Sequence, residues 1–566
     1  MRIDLSKTGT LKTNDSIFFD SLIPEINNSY NKVTRDFINE NGLFDYDLLL
    51  SVSNRNPASN LIYDCISKLV FVKAKIATSS FIKSINVDTY HEKVLIENFF
   101  KQTQLKSINV SSNQSWLSMK ISLINTITLN FFKTVFLFLC SKFLATLILE
   151  TPSSKKNIIY IDNFLFPDSF SDGKFNDRYY TEYENFLDNK LSKKIYFFPT
   201  LAGFRKPSHF FNIFSKSKKI QKNFIFQESI LSLFDYIYGL FLSISVPLRK
   251  RKYYPTIFNL KLENLFKDSI KRDIFSMELN NALNKHCFIK KLFKRNFSFE
   301  KVINWHENQN IDRALNLSFK KNFSTVQVLG YQGYFAANTE PHKIPLDFEN
   351  KLGTLPDKIG LISKQLLAKY KAKSKTIDYF LAPAFRFNWL FTEDDLSKND
   401  NQGIHKIIVA LPIYESEVFH ILDICRELQN QNGSELSITI KFHPSFDQDY
   451  INKTFKQAKF FDLSEEDLSV LIKKSNLMIS SSSSSCVESI LMGVPVAVLG
   501  NNSGLSMNTI PDGMLDNFWS IFYSINDLND FIERLRNQKK QDKLLVYNKQ
   551  DFIENVDKNN TQYLFG

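Results

Sequence analysis

Lys441-Phe-His443-Pro444, followed downstream by Leu477-Met-Ile-Ser480-Ser-Ser-Ser-Ser-Ser485-Cys-Val-Glu488-Ser-Ile-Leu-Met-Gly493-Val-Pro495-Val-Ala-Val-Leu499, decides how this chain folds. Asn476 to Ile479 is short, apolar and bounded by polar residues, which predicts a buried strand; Val487 to Met492 predicts the first turns of a helix and Val494 to Leu499 the next strand. The result is a β-α-β unit whose hydroxyl-rich turn lies at the carboxyl end of its first strand. Free backbone N–H groups and the positive end of a helix dipole point into the crevice there, so an anion is the expected ligand and a nucleotide the expected carrier of it.

The same alternation extends outward. Ile407 to Leu411 reads as a strand, Glu417 to Leu428 as an amphipathic helix, Leu436 to Phe442 as a strand and Glu465 to Lys474 as a helix. Together they predict an α/β domain over 403–545, entered through a polar linker from Glu393 to Gly403. Upstream, strands are expected at Lys156–Ile161, ending in Asp162, at Lys194–Phe198, closed by Pro199, and at Val302–Trp305, Thr325–Leu329 and Ile359–Ile362. That spacing predicts parallel pairing in a first α/β domain over 151–395, interrupted by a basic and apolar helical insert. Residues 1–150 carry no motif and read as an accessory N-terminal region ending in an apolar helical segment; 546–566 reads as a tail.

At 566 residues the chain is too long for one core. Its five cysteines lie far apart with no C-x-x-C pair, which argues against a zinc site or a disulfide framework and fits a reducing compartment. The start, Met1-Arg-Ile-Asp-Leu-Ser-Lys7, lacks the apolar run of a signal peptide, so cytoplasm is the expected location. A formal charge of +12 invites nucleic acid, but the lysines are scattered and no nucleic-acid module accompanies them, so none is expected as a partner. An anionic leaflet or a negatively charged sugar nucleotide fits the charge as well.

Two apolar stretches raise the question of a membrane. Ile121 to Leu149 is interrupted by Lys133 and Lys142, which argues against a simple span. Ser229 to Leu248 holds a lone Asp235 and runs into Arg249-Lys-Arg-Lys252, with Tyr238 and Tyr253 placed like interfacial aromatics. Residues 229–252 are therefore the better candidate for peripheral contact with the inner face of a membrane, and burial of both stretches as core helices is the competing reading.

His443 ends a strand, and Pro444, with its fixed φ, aims the chain there; the imidazole could donate to a phosphate oxygen. Ser482, Ser483, Ser484 and Ser485 offer hydroxyl and backbone donors at the helix start, although one or two of them could serve only as the N-cap. Glu488, one turn inside, could accept from a ribose. No metal is expected: His306 and His342 lack a companion at ligand spacing, and Asp45-Tyr-Asp47 stands in an unsupported context before Leu-Leu-Leu.

On these residues the domain from Ile404 to about Lys540 resembles the donor-binding half of a GT-B glycosyltransferase. The matched features are Lys441-Phe-His443-Pro444, Ser480 to Ser485 and Glu488 to Val496; a His-Pro pair with a double-serine motif is similar to that of bacterial sialyltransferases, polysialyltransferases and capsule Kdo transferases. The glycerophosphotransferases of teichoic-acid synthesis are similar too. The resemblance implies two Rossmann-like domains facing a cleft, and a CMP-sugar whose phosphate is held by His443 and members of Ser482 to Ser485. Trp305-His-Glu307-Asn308-Gln309-Asn-Ile-Asp312-Arg313, Gly330-Tyr-Gln332-Gly333-Tyr334, Asp162-Asn-Phe and Asp172-Gly-Lys-Phe-Asn-Asp177-Arg178 resemble bacterial surface-carbohydrate biosynthesis proteins related to those transferases.

An inverting sugar transfer needs a base for the acceptor hydroxyl. Glu307, just past the strand ending at Trp305, is the first candidate, its alternative roles being to cap the next helix or pair with Arg313. Asp172 is the second, since Asp-Gly there echoes the acidic-Gly motif of polysialyltransferases. Asp162 and Asp177 could be turn residues. The expectation is a metal-independent glycosyltransferase without a cofactor, using a nucleotide sugar, with a CMP-linked acidic sugar as donor, and a glycan or lipid-linked glycan as acceptor. The alternatives are a CDP-alcohol phosphotransferase, a UDP-sugar-dependent transferase, or a non-catalytic nucleotide-binding assembly protein.

Overall fold

The computed structural model describes the chain apart from residues 1, 8, 79–81, 106–107, 172, 393–403, 444, 447, 482, 512, 515–516 and 538–548. The expected linker, Asp172, Pro444 and Ser482 therefore lie outside the described residues. The chain forms two compact units. The N-terminal unit holds Glu25–Gly333, Glu340–Arg386 and Ile553–Gly566; the C-terminal unit holds Met1–Pro24, Tyr334–Thr339 and Phe387–Phe552.

The N-terminal unit is built on a six-stranded sheet made of β1 (Ile158–Asp162), β2 (Ile195–Phe197), β3 (Phe299–Trp305), β4 (Gln327–Gln332), β5 (Lys358–Leu361) and β6 (Asp378–Leu381). Its spatial order is β6-β5-β4-β3-β1-β2, and every neighbouring pair is parallel. The chain steps from β1 out to β2, then crosses back to β3, so the strand order reverses between β1 and β3, where Asp162 lies opposite Asn304. Parallel strands covered on both faces have to be apolar on both, which is why Ile158-Ile-Tyr-Ile161 is continuous rather than alternating. Tyr160 stacks on Phe198 at 4.0 Å and meets Phe299 and Phe319 edge-on.

Around this sheet run α1 (Trp116–Ile148), α2 (Leu233–Ser245), α3 (Glu263–Arg272), α4 (Met277–Lys294) and α5 (Asn310–Asn322). The 33-residue α1 is long and apolar enough to cross a membrane by length and composition, although Lys133 and Lys142 interrupt it, and 28% of its most apolar window is buried. Lys142 is not stranded on the apolar face, because its Nζ donates to the Glu228 carbonyl at 2.8 Å.

The C-terminal unit carries β7 (Lys406–Ala410), β8 (Ser437–Lys441), β9 (Asp462–Leu463), β10 (Leu477–Ser480), β11 (Val496–Leu499) and β12 (Trp519–Phe522), with helices α6 (Glu415–Asn432) and α7 (Ser485–Leu491). The order β9-β8-β7-β10-β11-β12, parallel throughout, is that of a Rossmann sheet. Its reversal point lies between β7 and β10. The start of the chain joins this unit: Leu11 N–H donates to the Asn502 carbonyl at 2.7 Å, and Asp20 accepts from Ser506 N–H at 2.8 Å. The fold class is α/β, with two Rossmann-like domains.

Candidate functional site

In the C-terminal unit three strand ends converge at the reversal point, because β8 and β10 flank β7 on either side. Ser480 Oγ donates to the Ala410 carbonyl at the end of β7, 2.7 Å away, which ties the serine turn to the neighbouring strand. His443 follows β8. Its Nδ1 accepts the Ser445 backbone N–H at 3.2 Å and lies 2.8 Å from Ser445 Oγ. With Nδ1 accepting the Ser445 N–H, the ring proton belongs on Nε2.

The serines divide by burial. Ser480 and Ser481 are buried, and Ser481 Oγ donates to Glu417 Oε2 at 2.6 Å, so α6 brings a carboxylate to the turn. Burial pushes the Glu417 carboxyl above its ordinary range, and the Ser481 hydrogen bond offsets this in part. Ser483 and Ser484 are half-buried. Ser483 and Ser485 share a hydroxyl–hydroxyl contact of 2.6 Å, Ser483 Oγ accepts the Ser485 N–H at 3.3 Å, and the Ser483 carbonyl accepts from Thr509 Oγ1 at 2.7 Å. The N-cap position is occupied by Ser484, whose side chain makes no capping hydrogen bond because its backbone is already helical, at φ −62° and ψ −19°. Ser484 Oγ makes no hydrogen bond with a described residue.

Glu488 is buried in α7, and the Trp389 indole Nε1 donates to its Oε2 at 3.2 Å. Gly493 has φ +81°, a left-handed conformation that suits glycine and turns the chain into β11. Trp389 and Glu417 escaped the sequence reading, since nothing marks a lone Trp or one Glu among the acids of an amphipathic helix. The Glu417-to-Leu428 pattern placed the helix without showing which of its acids faces the serines.

In the N-terminal unit the reversal point brings Asp162, the last residue of β1, and Asn163 to the same edge as Trp305, the last residue of β3, and His306 and Glu307. Glu307 is half-buried, and both oxygens are held: Trp305 Nε1 donates to Oε1 at 2.8 Å and Gln309 Nε2 to Oε2 at 2.8 Å. Neither alternative role occurs. The helix is capped by Asp312, whose Oδ2 accepts the N–H groups of Glu307 and Gln309 at 3.0 and 2.9 Å. Arg313 instead pairs with Glu349, which also binds Arg55 at 2.5 Å, all three side chains being fully buried. Burial disfavours the charged Glu349, yet the two guanidiniums prevail and hold its carboxyl below the usual range.

Asp162 forms a buried ion pair with Lys285 of α4, 2.7 Å apart, rather than a turn. Asp177 is a turn residue, its Oδ1 accepting the N–H groups of Tyr179 and Tyr180 at 2.9 and 3.2 Å. Tyr179 in turn packs on the Trp305 ring at 4.4 Å. His306 is buried beside β3, and burial pushes its imidazole down to about 3, so it is neutral at pH 7. Asp47 is structural, binding Arg249 at 3.0 Å and Arg251 at 2.7 Å. Among the described residues no three His, Cys, Asp or Glu side chains gather as a metal site.

No protein-family model matches the chain, and no curated protein matches it. Among solved structures it is similar to the Neisseria meningitidis UDP-GlcNAc 2-epimerase bound to UDP-GlcNAc, with 10% identity and a TM-score of 0.38 over 72% of this chain and 98% of that one. It is also similar to the wall teichoic acid polymerase TagF soaked with CDPG, at 12% identity and TM-score 0.35 over 79% and 96%, and to Acinetobacter baumannii MurG, at 10% and 0.35 over 73% and 98%. Likenesses at these identities and TM-scores carry no argument, and the α/β class rests on the two parallel sheets.

Proposed function

We propose that this chain is a metal-independent glycosyltransferase of GT-B type that moves a sugar from an activated nucleotide onto a surface glycan or its lipid-linked precursor. The observation that supports this best is that His443, after β8, and Ser481, Ser483, Ser484 and Ser485, after β10, lie on the carboxyl edge of one Rossmann-ordered sheet. In such sheets the crevice at the reversal point is the ligand site.

The donor we propose is a CMP-activated acidic sugar of nonulosonic acid or Kdo type, supported by the His-Pro and serine-run resemblance. In this reading His443 Nε2, the Ser484 hydroxyl and the backbone of the serine turn take the phosphate. They stabilise the charge that grows on the leaving nucleotide as the glycosidic bond breaks. Glu307 removes the proton from the attacking acceptor hydroxyl; its carboxylate is held by Trp305 and Gln309 on the shoulder of a rigid strand, which fixes the direction of its lone pairs. The chain works at the cytoplasmic face of the membrane.

The experiment is to incubate the protein with CMP-, CDP- and UDP-linked donors and a panel of bacterial glycans and follow release of the nucleotide. Acceptor-dependent release of CMP is the expected outcome. Release from a CDP-alcohol or UDP-sugar alone would move the assignment to one of those donors, and nucleotide binding without turnover on any donor would make the chain a non-catalytic binding protein.

A further inference from the structure

The N-terminal unit presents an apolar face that its own fold leaves uncovered. Along α1, Phe132, Phe136, Leu139 and Phe143 recur at helical spacing and stand exposed, Phe132 and Phe143 each at 65%. Along α2, Phe234, Ile237 and Phe241 do the same, Phe234 at 82%, and Leu248 continues the row past the helix end. Both helices belong to one wall: Phe138 of α1 and Tyr236 of α2 touch at 5.0 Å between ring centres and are buried in the same core cluster. Their inward faces are therefore committed, and the outward faces remain. At 1.5 Å per residue α1 alone carries this surface over about 50 Å.

Charge says what covers the face. The only charged side chains in α1 are lysines, Lys120, Lys133 and Lys142, and the single acid of α2, Asp235, is tied to Lys291 and Ser232. Past α2 the chain enters an open cavity of about 860 Å³ whose lining holds seven Lys and Arg residues against one carboxylate, Glu263. Leu248 belongs both to the apolar row and to the cavity wall, so the two surfaces are continuous. Helix α3 closes the join from the other side, with Lys267 and Lys271 in the cavity and Asp268 bound to Lys120 of α1 at 2.8 Å. Arg249 and Arg251 are anchored on Asp47, which fixes the loop, whereas Lys250, Lys252 and Lys261 are exposed and form no ion pair with a described residue.

A large apolar face bordered by unneutralised ammonium groups matches the acyl boundary and the phosphates of an anionic leaflet, and it matches neither water nor a neutral lipid surface. We infer that the outward faces of α1 and α2 lie in the headgroup region of an anionic bilayer, parallel to it, and that the cavity at Arg249–Lys252 receives phospholipid phosphates. A second copy of the chain would cover the apolar rows but would bring the same positive charge to the cavity.

The test is flotation of the full chain with vesicles of phosphatidylcholine alone and of phosphatidylcholine mixed with phosphatidylglycerol. Binding should be at least tenfold stronger to the anionic vesicles and should weaken as salt rises. Each basic residue near an anionic surface strengthens binding about fivefold, so Lys250→Glu, Lys252→Glu and Lys261→Glu combined should abolish that preference. Phe234→Ser with Phe241→Ser should remove binding to both vesicle types; these side chains are exposed, and an unchanged circular dichroism spectrum and melting temperature would show that the variants fold. Equal binding to both vesicle types, a triple lysine variant that binds like the parent, or retention in the membrane after alkaline carbonate would each overturn the proposal. So would a dimer in solution that ignores vesicles. Vesicle binding is read without turnover, so its failure leaves the transferase assignment to its own test.

Discussion

Trp305 and Glu307 lie two residues apart and are joined side chain to side chain, the indole Nε1 donating to Glu307 Oε1 at 2.8 Å. This bond holds the carboxylate on the end of β3 while Gln309 grips its other oxygen. If Glu307 takes the acceptor's proton, Glu307→Gln keeps the size and loses the base. Turnover should fall at least about 100-fold, the usual contribution of a positioned general base. Nucleotide affinity should stay within about twofold, since the variant removes nothing that grips the donor phosphate. Trp305→Phe should lower turnover less, leaving the base in place but loosening it. Steady-state kinetics beside calorimetric nucleotide titration would separate these effects, and an unaffected turnover in Glu307→Gln would remove its role.

The Arg55–Glu349–Arg313 cluster predicts a stability effect with no part in chemistry. Glu349→Gln leaves two buried guanidiniums facing a neutral amide, which should cost about 3–5 kcal/mol of unfolding free energy in chemical denaturation. Because the Glu349 carboxyl is held below the ordinary glutamate range, its contribution is complete above that range and is lost as pH falls through the native value. A loss under about 1 kcal/mol would show that the cluster relaxes or admits water.

Two buried groups make stability depend on pH in opposite directions. Burial pushes the Asp273 carboxyl up to about 8, although Ser51 N–H donates to it at 2.9 Å. Between about 4, the unfolded value, and about 8 the native chain holds a proton that the unfolded chain has released, so stability falls as pH rises through that window. Asp273→Asn should flatten this decline in melting temperature between pH 5 and 8. His306 acts on the acid side: held neutral down to about 3, it refuses a proton that the unfolded chain accepts below about 6.5, so stability falls as pH drops. Melting curves across this range check both signs.

The two parallel sheets were largely legible from residues. Continuous apolar runs such as Ile407-Ile-Val-Ala and Leu477-Met-Ile gave β7 and β10 to within a residue or two, since a strand covered on both faces leaves that mark. Asp378–Leu381 and Trp519–Phe522 were not read. Both lie at sheet edges, where pairing on one side alone lets a short, mixed segment become a strand. The candidate site was legible where it is local, at His443 and the serines. It was not legible where partners come from afar: Glu417 reaches Ser481 from another helix and Trp389 reaches Glu488 across the sequence, contacts that leave no spacing to recognise. Asp162 shows the same limit, because its partner Lys285 lies on α4, far along the chain.

The central claim is that the His443 and serine-turn edge binds the nucleotide phosphate. Calorimetric titration of CMP into the parent protein and into His443→Ala measures it directly. The loss of a charge-assisted hydrogen bond to phosphate is worth about 1.5–3 kcal/mol, so the account predicts binding to the parent and an affinity at least about tenfold weaker in the variant. Equal CMP affinity in the two proteins would contradict it.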